Sequence, residues 1–261
     1  MPQSAAELFT LKGKTALVTG GAQGLGRMIA EGLISAGARV YITSRKPEIC
    51  ETAAAELAQL GDCRALPGDA GDPEGMRNIA QRFRDAEGGP LHLLVNNAGK
   101  TWGAPIESFP DKAWMSVMGV NVQGPFTAVQ ALLPELTMGG SSADPSRVIN
   151  IGSVAGIRTT PLQAYSYGAS KAALHFLTKQ LANDLVARHI TVNAIAPGYF
   201  PTSMTAHLKD DPDAGLEKQV PMRRLGTPED ITGAIIFLAS RAGAYVTGAV
   251  LPVDGGIVGA S

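Results

Sequence analysis

The stretch "TALVTGGAQGLG", residues 15–26, decides the fold of this chain. It begins as a short apolar run, which is the pattern of a buried strand, and then breaks into glycines. The apolar residues that follow recur at the spacing of a helix: Leu25, Met28, Ile29 and Leu33. A strand, a glycine-rich turn and a helix in this order bring the backbone close to a pyrophosphate, which lies at the positive N-terminus of the helix. The stretch therefore predicts a dinucleotide-binding turn. Its predicted contacts are Gly20, Gly24, Leu25 and Gly26.

Further strand-like runs alternate with amphipathic stretches along the whole chain. The candidate strands are 15–19, 39–43, 63–67, 91–96, 147–152, 190–196 and 248–253. Alternation of this kind favours parallel strands joined by right-handed crossovers, and no repeat or linker divides the chain. We therefore predict an α/β fold. It is a single Rossmann domain over residues 1–261, with a doubly wound parallel sheet of about seven strands and helices on both faces.

The composition excludes several classes of function. The net charge of −1 leaves no basic footprint for nucleic acid or an anionic membrane. The chain also lacks a membrane-spanning apolar run and the pattern of a secretory signal, so we expect a cytoplasmic protein. Cys50 and Cys63 fit free thiols in a reducing compartment. The histidines lack the spacing of metal ligands, so we expect no metal site and expect them to cover the surface; they are His92, His175, His189 and His207.

The end of the second candidate strand indicates which dinucleotide is bound. The sequence "VYITSRKP", residues 40–47, holds Ser44, Arg45 and Lys46 but no acid. An acid at this point would bind the ribose 2′-hydroxyl of NAD, whereas a guanidinium can hold a 2′-phosphate through two hydrogen bonds. The sequence favours NADP(H), with Ser44 and Arg45 as contacts. The alternative is that Arg45 and Lys46 are solvated turn residues.

A second stretch, "YSYGASK" (165–171), opens another helix. The apolar stripe of that helix consists of Leu174, Leu177, Leu181 and Leu185. Steps of three and four residues back along the stripe reach Lys171 and then Tyr167. Tyr165 lies about 240° from Lys171 around the helix, at about 100° per residue, so it faces elsewhere. A packing tyrosine beside a snorkelling lysine is the alternative interpretation of the pair.

Two segments lack a regular pattern. The sequence "GGSSADPS" (139–146) is expected to be a surface loop. The segment 197–226 follows a strand, at the edge of the sheet where ligands bind in such folds. We expect a substrate lid at about 199–222, and a meandering surface connection is the alternative.

Together these features resemble the short-chain dehydrogenase/reductase family. The resemblance runs from Lys12 to about Gly256. Its motifs, in order, are "TGGAQGLG" (19–26), Asp69, "NNAG" (96–99), Asn121 in "GVNVQG", Ser153 in "NIGS", "YGASK" (167–171), "PG" (197–198) with Thr202, and "VDGG" (253–256). The resemblance implies an NADP(H)-dependent oxidoreductase that forms a homotetramer.

The resemblance also implies a role for each matching residue. Its catalytic set would be Asn121, Ser153, Tyr167 and Lys171. Asn121 would hold a water that connects Lys171 to solvent, and Lys171 would also bind the nicotinamide ribose. Beyond the glycine turn and the Ser44–Arg45 pair, the cofactor contacts would be Asp69, Ala70, Asn97, Ala98, Gly99, Tyr167, Lys171, Pro197, Gly198 and Thr202.

The chemistry of carbonyl reduction explains the pairing of Tyr167 with Lys171. Hydride delivery to a carbonyl leaves an alkoxide that must take up a proton, and a phenol can supply it. A tyrosine pKa of about 10 is high for the reverse reaction. We therefore expect the Lys171 ammonium, one turn away, to lower the pKa of Tyr167. Ser153 would hydrogen-bond the carbonyl oxygen and polarise it.

The spacing between Ser153 and Tyr167 departs from the family pattern. It is fourteen residues, one more than is commonest in the family. A one-residue insertion within 154–163 explains the difference, because loops accept changes of length easily. If Tyr165 were the catalytic tyrosine instead, it would have no lysine four residues further along the helix.

Within the family, "NIGSVAG", "ITVNAIAPG" and "RLGTPEDI" (224–231) are similar to 3-oxoacyl thioester reductases. The stretches "WGAPIES", "RVINIGSVAGI" and "APGYFPTSMT" resemble the rhamnolipid-associated type in particular. The apolar candidates for the substrate pocket are Trp102, Ile157, Tyr199, Phe200 and Met204. They suit an acyl chain or another hydrophobic ketone. Two alternatives remain open: a secondary alcohol or ketone dehydrogenase for other substrates, and a catalytically silent NADP-binding sensor.

Overall fold

The fold is built on seven parallel strands within the computed structural model, which describes residues 4–160, 163–202 and 215–259. The strands are β1 (Thr15–Val18), β2 (Arg39–Ile42), β3 (Cys63–Ala65), β4 (Leu93–Asn96), β5 (Ser146–Ile151), β6 (Ile190–Pro197) and β7 (Val250–Val253). They form one sheet in the order β3-β2-β1-β4-β5-β6-β7. The predicted α/β fold is confirmed, and each strand lies within one residue of a predicted run or inside it.

Helices connect the strands and cover both faces of the sheet. They are α1 (Ala5–Phe9), α2 (Gly24–Ser35), α3 (Pro47–Leu57), α4 (Pro73–Glu87), α5 (Asp111–Met118), α6 (Gly124–Ala131), α7 (Leu133–Gly139), α8 (Tyr165–Leu185), α9 (Leu216–Gln219) and α10 (Pro228–Ala239). A π-helical turn, Gly119–Gln123, joins α5 to α6, and a 3-10 turn, Val154–Gly156, follows β5.

The core lies in two layers because successive side chains of a strand point to opposite faces. In β1, Ala16 and Val18 pack with α2, α3 and α10, whereas Leu17 packs with α4, α6 and α8. Both layers are apolar, which is why the strands are continuous hydrophobic runs instead of alternating ones. This arrangement leaves the carboxyl ends of the strands as the open edge of the sheet.

The two irregular segments differ in how far the structure describes them. The expected surface loop is shorter than predicted, because α7 extends to Gly139 and β5 begins at the buried Ser146. Of the expected lid at 199–222, the structure describes 199–202 and the part from Gly215 onward, which includes α9. Residues 203–214 lie outside the described residues, so the lid stays a prediction. Within the described part of the chain, no helix has the length and apolar character that crossing a membrane requires.

Candidate active site

A cleft of about 940 Å³ lies at the carboxyl ends of β1, β4, β5 and β6. This is where the strand order reverses, since the chain moves outward from β1 to β3 and then returns to β4. Ligands of open α/β sheets bind at such a switch point. All the predicted cofactor contacts line this one cleft: Gly20, Gly24, Leu25, Gly26, Ser44, Arg45, Asp69, Ala70, Asn97, Ala98, Gly99, Tyr167, Lys171, Pro197, Gly198 and Thr202.

The glycine turn between β1 and α2 has the shape of a phosphate cradle. Gly20 and Gly24 have φ values of +65° and +53°, which glycine adopts without strain. A Cβ at Gly26 would lie 2.3 Å from the Gly20 carbonyl oxygen, so only glycine fits there. Gln23 precedes α2 and places no side-chain cap on its first N–H groups. These backbone N–H groups and the helix dipole suit a pyrophosphate.

Asn97 joins the end of β4 to the glycine turn. Its Nδ2 donates to the carbonyl oxygens of Thr19 and Gly20, at 2.9 and 3.1 Å. The Thr19 hydroxyl accepts hydrogen bonds from the N–H groups of Asn97 and Ala98, both at 3.0 Å. These four hydrogen bonds hold the glycine turn against the end of β4. An NADP molecule fits the cleft on these grounds: its pyrophosphate would rest on the turn, and Asn97 and Ala98 would form the floor beside it.

The far end of the cleft, beyond β2, carries a cation and little negative charge. Arg45 lines the cleft there, whereas the adjacent Lys46 does not, and both are exposed. Among the cleft-lining residues that the structure describes, Asp69 is the only acid, and its Oδ1 accepts from the Gly71 N–H at 2.9 Å. The environment of Arg45 suits an anionic group such as a 2′-phosphate.

Tyr167, Lys171 and Ser153 meet at the carboxyl end of β5. The Ser153 hydroxyl lies close enough to the Tyr167 hydroxyl to influence its pKa. The Lys171 Nζ lies 5.6 Å from the centre of the Tyr167 ring and donates to the Ile151 carbonyl oxygen at 2.7 Å. Lys171 is only 4% exposed, so its ammonium is a buried charge held by that carbonyl. The i,i+4 spacing on α8 brings the phenol and the ammonium to one face, as predicted.

The pKa of Tyr167 differs from the expectation. Burial raises the pKa of Tyr167 above its ordinary value, and the hydrogen bond from Ser153 offsets this only in part. The expected lowering by Lys171 is therefore wrong for this structure. Burial also lowers the pKa of Lys171 to about 8, and its ammonium is directed at Ile151 and not at the phenol oxygen. A phenol with a raised pKa stays protonated near neutral pH, which suits a proton donor.

Tyr165 points away from these groups. Its ring is 40% exposed and packs edge to face against Phe109, with the ring centres 5.6 Å apart. The structure thus separates the two tyrosines of "YSYGASK" as the helical spacing predicted: Tyr167 borders the cleft and Tyr165 faces the loop before α5.

Asn121 lies behind the cleft in the π-helical turn and does not line it. Its Oδ1 accepts from the Lys100 N–H at 2.8 Å, and its Nδ2 donates to the Lys100 carbonyl and to the Ser170 hydroxyl, both at 2.9 Å. Gly99 lies between Asn121 and Lys171, since a Cβ there would be 3.6 Å from Asn121 Oδ1 and 3.7 Å from Lys171 Nζ. The water relay between the two residues stays a prediction.

The substrate half of the cleft contains most of the predicted apolar residues. Trp102, Tyr199 and Phe200 line it. Ile157 is exposed and does not line it, and Met204 lies outside the described residues. The extra residue between Ser153 and Tyr167 falls in a segment of which 161–162 are also not described, so the predicted insertion stays a prediction.

His175 is a site residue that the sequence analysis missed. It is 7% exposed, so the expectation that the histidines cover the surface is wrong for this one. Its Nε2 accepts from the Ser153 N–H at 3.5 Å. The signal was present in the sequence, because Tyr167, Lys171 and His175 recur at steps of four and share one helix face. No cluster of metal-binding side chains occurs within the described ranges.

Comparisons with known proteins agree with this geometry. A family model described as enoyl-(acyl carrier protein) reductase, of the short-chain dehydrogenase/reductase type, matches residues 20–258. The rhamnolipids biosynthesis 3-oxoacyl-(acyl-carrier-protein) reductase of Pseudomonas aeruginosa is 51% identical over 251 residues, which cover 95% of this chain and 97% of that protein.

Two solved structures extend the comparison to three dimensions. The Pseudomonas aeruginosa RhlG/NADP active-site complex is 50% identical and superposes with a TM-score of 0.94, over 97% of this chain and 99% of that one. A gluconate 5-dehydrogenase from Burkholderia cenocepacia in complex with NADP and tartrate is 34% identical with a TM-score of 0.91, over 99% and 100% of the two chains.

Proposed function

The chain belongs to the short-chain dehydrogenase/reductase family, and from that membership we propose that it reduces a 3-oxoacyl thioester or a related hydrophobic ketone to the secondary alcohol. It is an NADP-dependent oxidoreductase acting on CH–OH groups. The proposal of a ketone substrate rests on one observation: Tyr167 and Ser153 lie close together in the lining of the cleft, one helical turn from the buried Lys171.

Each residue of the site has its own role in the reduction. NADPH, when bound, supplies the hydride. The Ser153 hydroxyl donates a hydrogen bond to the carbonyl oxygen and so stabilises the negative charge that develops there. The Tyr167 hydroxyl transfers its proton to that oxygen. Lys171 holds its ammonium at the Ile151 carbonyl, 5.6 Å from the centre of the Tyr167 ring, and Asn121 fixes the Lys100 backbone next to Gly99.

A screen of substrates with NADPH tests the proposed function. Oxidation of NADPH would be followed with 3-oxoacyl-CoA, 3-oxoacyl carrier-protein thioesters and simple ketones. We expect turnover with 3-oxoacyl thioesters, since Trp102, Tyr199 and Phe200 offer an apolar wall for the acyl chain. The absence of turnover with every ketone would contradict the proposal.

The cleft also carries polar groups that favour a second candidate, a dehydrogenase for polar secondary alcohols. Thr101, Thr160 and Gln163 line the same half of the cleft as Trp102. Their hydroxyl and amide groups could hydrogen-bond a polyhydroxylated substrate. Oxidation of sugar alcohols and sugar acids with NADP⁺, in the same screen, would distinguish this candidate from the first.

We predict that CoA thioesters are reduced at least as efficiently as carrier-protein thioesters of the same acyl chain. Residues 131–143 contain no lysine or arginine, and Asp184 on α8 would repel an acidic carrier that approached these helices. Of the arginines that could attract one, Arg224 is paired with Asp230. Steady-state kinetics at low and moderate salt measure this. A strong advantage of the carrier thioester that salt abolishes would contradict it.

The pH dependence of reduction follows from Lys171. The pKa of Tyr167 is raised by burial, so the phenol is protonated throughout the neutral range. Burial lowers the pKa of Lys171 to about 8, so the ammonium is present below that pH and is lost above it. We expect kcat/KM for reduction, which reports ionisations of the free enzyme, to fall as the pH rises through about 8. A kcat/KM that stays constant as the pH rises well above the pKa of Lys171 would contradict the assignment of this ionisation to Lys171.

We also propose that the protein is cytoplasmic and forms a homotetramer. Cys50 and Cys63 are buried and unpaired, which agrees with a reducing compartment. Large apolar side chains on the outer helices are exposed, among them Met115 at 70% and Phe176 at 71%. Packing against another copy would bury such side chains. Light scattering in solution would test the tetramer, and a monomeric mass would contradict it.

A further inference from the structure

The turn that carries Ser153 packs on the buried side chain of His175. The ring lies on α8, beneath residues 152–156, and its Nε2 accepts from the Ser153 N–H at 3.5 Å. The same ring packs against Gly156, where a Cβ would lie 2.9 Å from its Cε1. A neutral imidazole has one acceptor nitrogen and one donor nitrogen. Nε2 is the acceptor here, so the ring hydrogen-bonds the start of the turn and packs against its end.

The glycines on either side of the turn leave the space that the ring fills. A Cβ built on Gly152 would lie 2.1 Å from His175 Nε2, and one built on Gly156 would lie 2.9 Å from its Cε1. Both distances are too short for any side chain. The backbone of the turn therefore lies directly on the imidazole: residue 152 must be glycine because of this contact, and residue 156 because of the α8 backbone at Lys171 and Ala172 together with the ring.

The surroundings keep the imidazole in the neutral form that accepts the hydrogen bond from Ser153. Burial, with the nearby charges of Lys171 and Lys179, lowers the pKa of His175 to about 4. The ring is therefore neutral at the pH of ordinary assays, and Nε2 retains its lone pair as an acceptor. Lys171, one turn earlier on α8, holds the other side of the segment through the Ile151 carbonyl.

We propose that His175 is a positioning residue for ketone reduction: it fixes the Ser153–Gly156 turn on α8, so that the Ser153 hydroxyl meets the Tyr167 hydroxyl. The side chains at 167, 171 and 175 recur every four residues on one face of α8. Lys171 contacts the last residue of β5, and His175 and Tyr167 approach Ser153 in the turn that follows. The Ser153 Oγ also accepts from the Ala155 N–H at 3.1 Å, so a shift of the turn moves the hydroxyl with it. This inference rests on the proposed function, in which Ser153 polarises the carbonyl.

Three substitutions at position 175 test the inference. His175→Leu removes the acceptor of the Ser153 N–H and keeps a side chain of similar size. His175→Gln can place an acceptor where Nε2 lies, whereas the shorter side chain of His175→Asn reaches only the position of Nδ1. We expect His175→Leu to lower kcat about 10- to 100-fold, because a displacement of about 1 Å costs up to 10²-fold. The Kd of NADPH should stay nearly unchanged, and His175→Gln should recover more of kcat than His175→Asn.

A double-mutant cycle shows whether His175 acts through Ser153. In a Ser153→Ala background, His175→Leu should cause little further loss of kcat, because the group that it positions is already gone. Thr178→Val is the matched control, one turn further along α8. Thr178 is fully buried and accepts from Asn150 Nδ2 at 2.9 Å, so this variant also loses a buried hydrogen bond. We expect it to lower the melting temperature and to leave kcat nearly unchanged.

Several outcomes would overturn the inference. One is a loss of kcat in His175→Leu that is equally large on the Ser153→Ala background. Another is equal activity of the glutamine and asparagine variants. This result overturns the inference even where the leucine variant does not fold. Normal kcat in His175→Leu overturns this inference alone. An unmodified protein that reduces no ketone overturns the proposed function and this inference together.

Discussion

Replacement of Tyr167 by phenylalanine should abolish ketone reduction and leave the affinity for NADPH nearly unchanged. The substitution removes one hydroxyl, which lies close to Ser153 at the edge of the cleft. Proton transfer by a positioned side chain contributes about 10²- to 10⁴-fold to a rate, so we expect kcat to fall by that factor. The Kd of NADPH should stay nearly unchanged, because the Tyr167 hydroxyl transfers its proton to the reacting oxygen of the substrate and not to the cofactor. Fluorescence titration and steady-state kinetics measure the two quantities.

Tyr165→Phe is the matched control, since it removes the same hydroxyl from a tyrosine two residues away. Tyr165 is 40% exposed and packs against Phe109, away from Ser153 and Lys171. We expect its kcat to stay close to that of the unmodified protein. An inactive Tyr165 variant beside an active Tyr167 variant would show that the helix-face assignment is wrong.

Helical periodicity predicted the site because it determines which side chains share a face. Steps of three and four residues connected the leucine stripe of α8 to Lys171 and Tyr167 and left Tyr165 outside it. The same periodicity continues to His175, which lies on the face of α8 that carries Tyr167 and Lys171. A buried histidine that binds backbone groups has no sequence signature of its own, because its partners, Ser153 and Gly156, belong to another element.

The pKa of Tyr167 could not be predicted from the pairing of residue types. The i,i+4 spacing shows that a phenol and an ammonium are neighbours, but it shows neither their burial nor the direction of the ammonium. In the structure, burial raises the pKa of Tyr167, while Lys171 is directed at the Ile151 carbonyl. Desolvation is a property of the packed fold, since it depends on how many elements cover the group.

The fold was predictable for a related reason. A parallel sheet that is covered on both faces needs strands that are apolar throughout, and such runs are visible in a sequence. The ends of the strands were less predictable, because they depend on local pairing; β4, for example, begins at Leu93 and not at Leu91. The substrate wall was predicted in part: Trp102 lines the cleft, whereas Ile157 is exposed outside it.

Arg45→Ala should weaken NADPH binding and leave NADH binding nearly unchanged. Arg45 lines the end of the cleft beyond β2, where the 2′-phosphate would lie. A charge-assisted hydrogen bond contributes about 1.5–3 kcal/mol, so its loss should raise the Kd of NADPH roughly ten- to a hundredfold. Because NADH lacks the 2′-phosphate, the two cofactors should become similar in affinity. At saturating NADPH, kcat should change little, since Arg45 lies far from Ser153 and Tyr167 along the cleft.

The Lys46→Ala variant distinguishes direct binding of the 2′-phosphate by Arg45 from general attraction of the phosphate by the positive charge of this turn. Lys46 is the next residue and is also exposed, but it does not line the cleft. If the net positive charge of this turn were what attracts the phosphate, both variants would lose affinity alike, and the loss would disappear at high salt. If Arg45 binds the phosphate directly, its variant should lose far more, and part of that loss should persist in salt. Equal use of NADPH and NADH by the unmodified protein would contradict the role of Arg45 altogether, because discrimination between them depends on the 2′-phosphate.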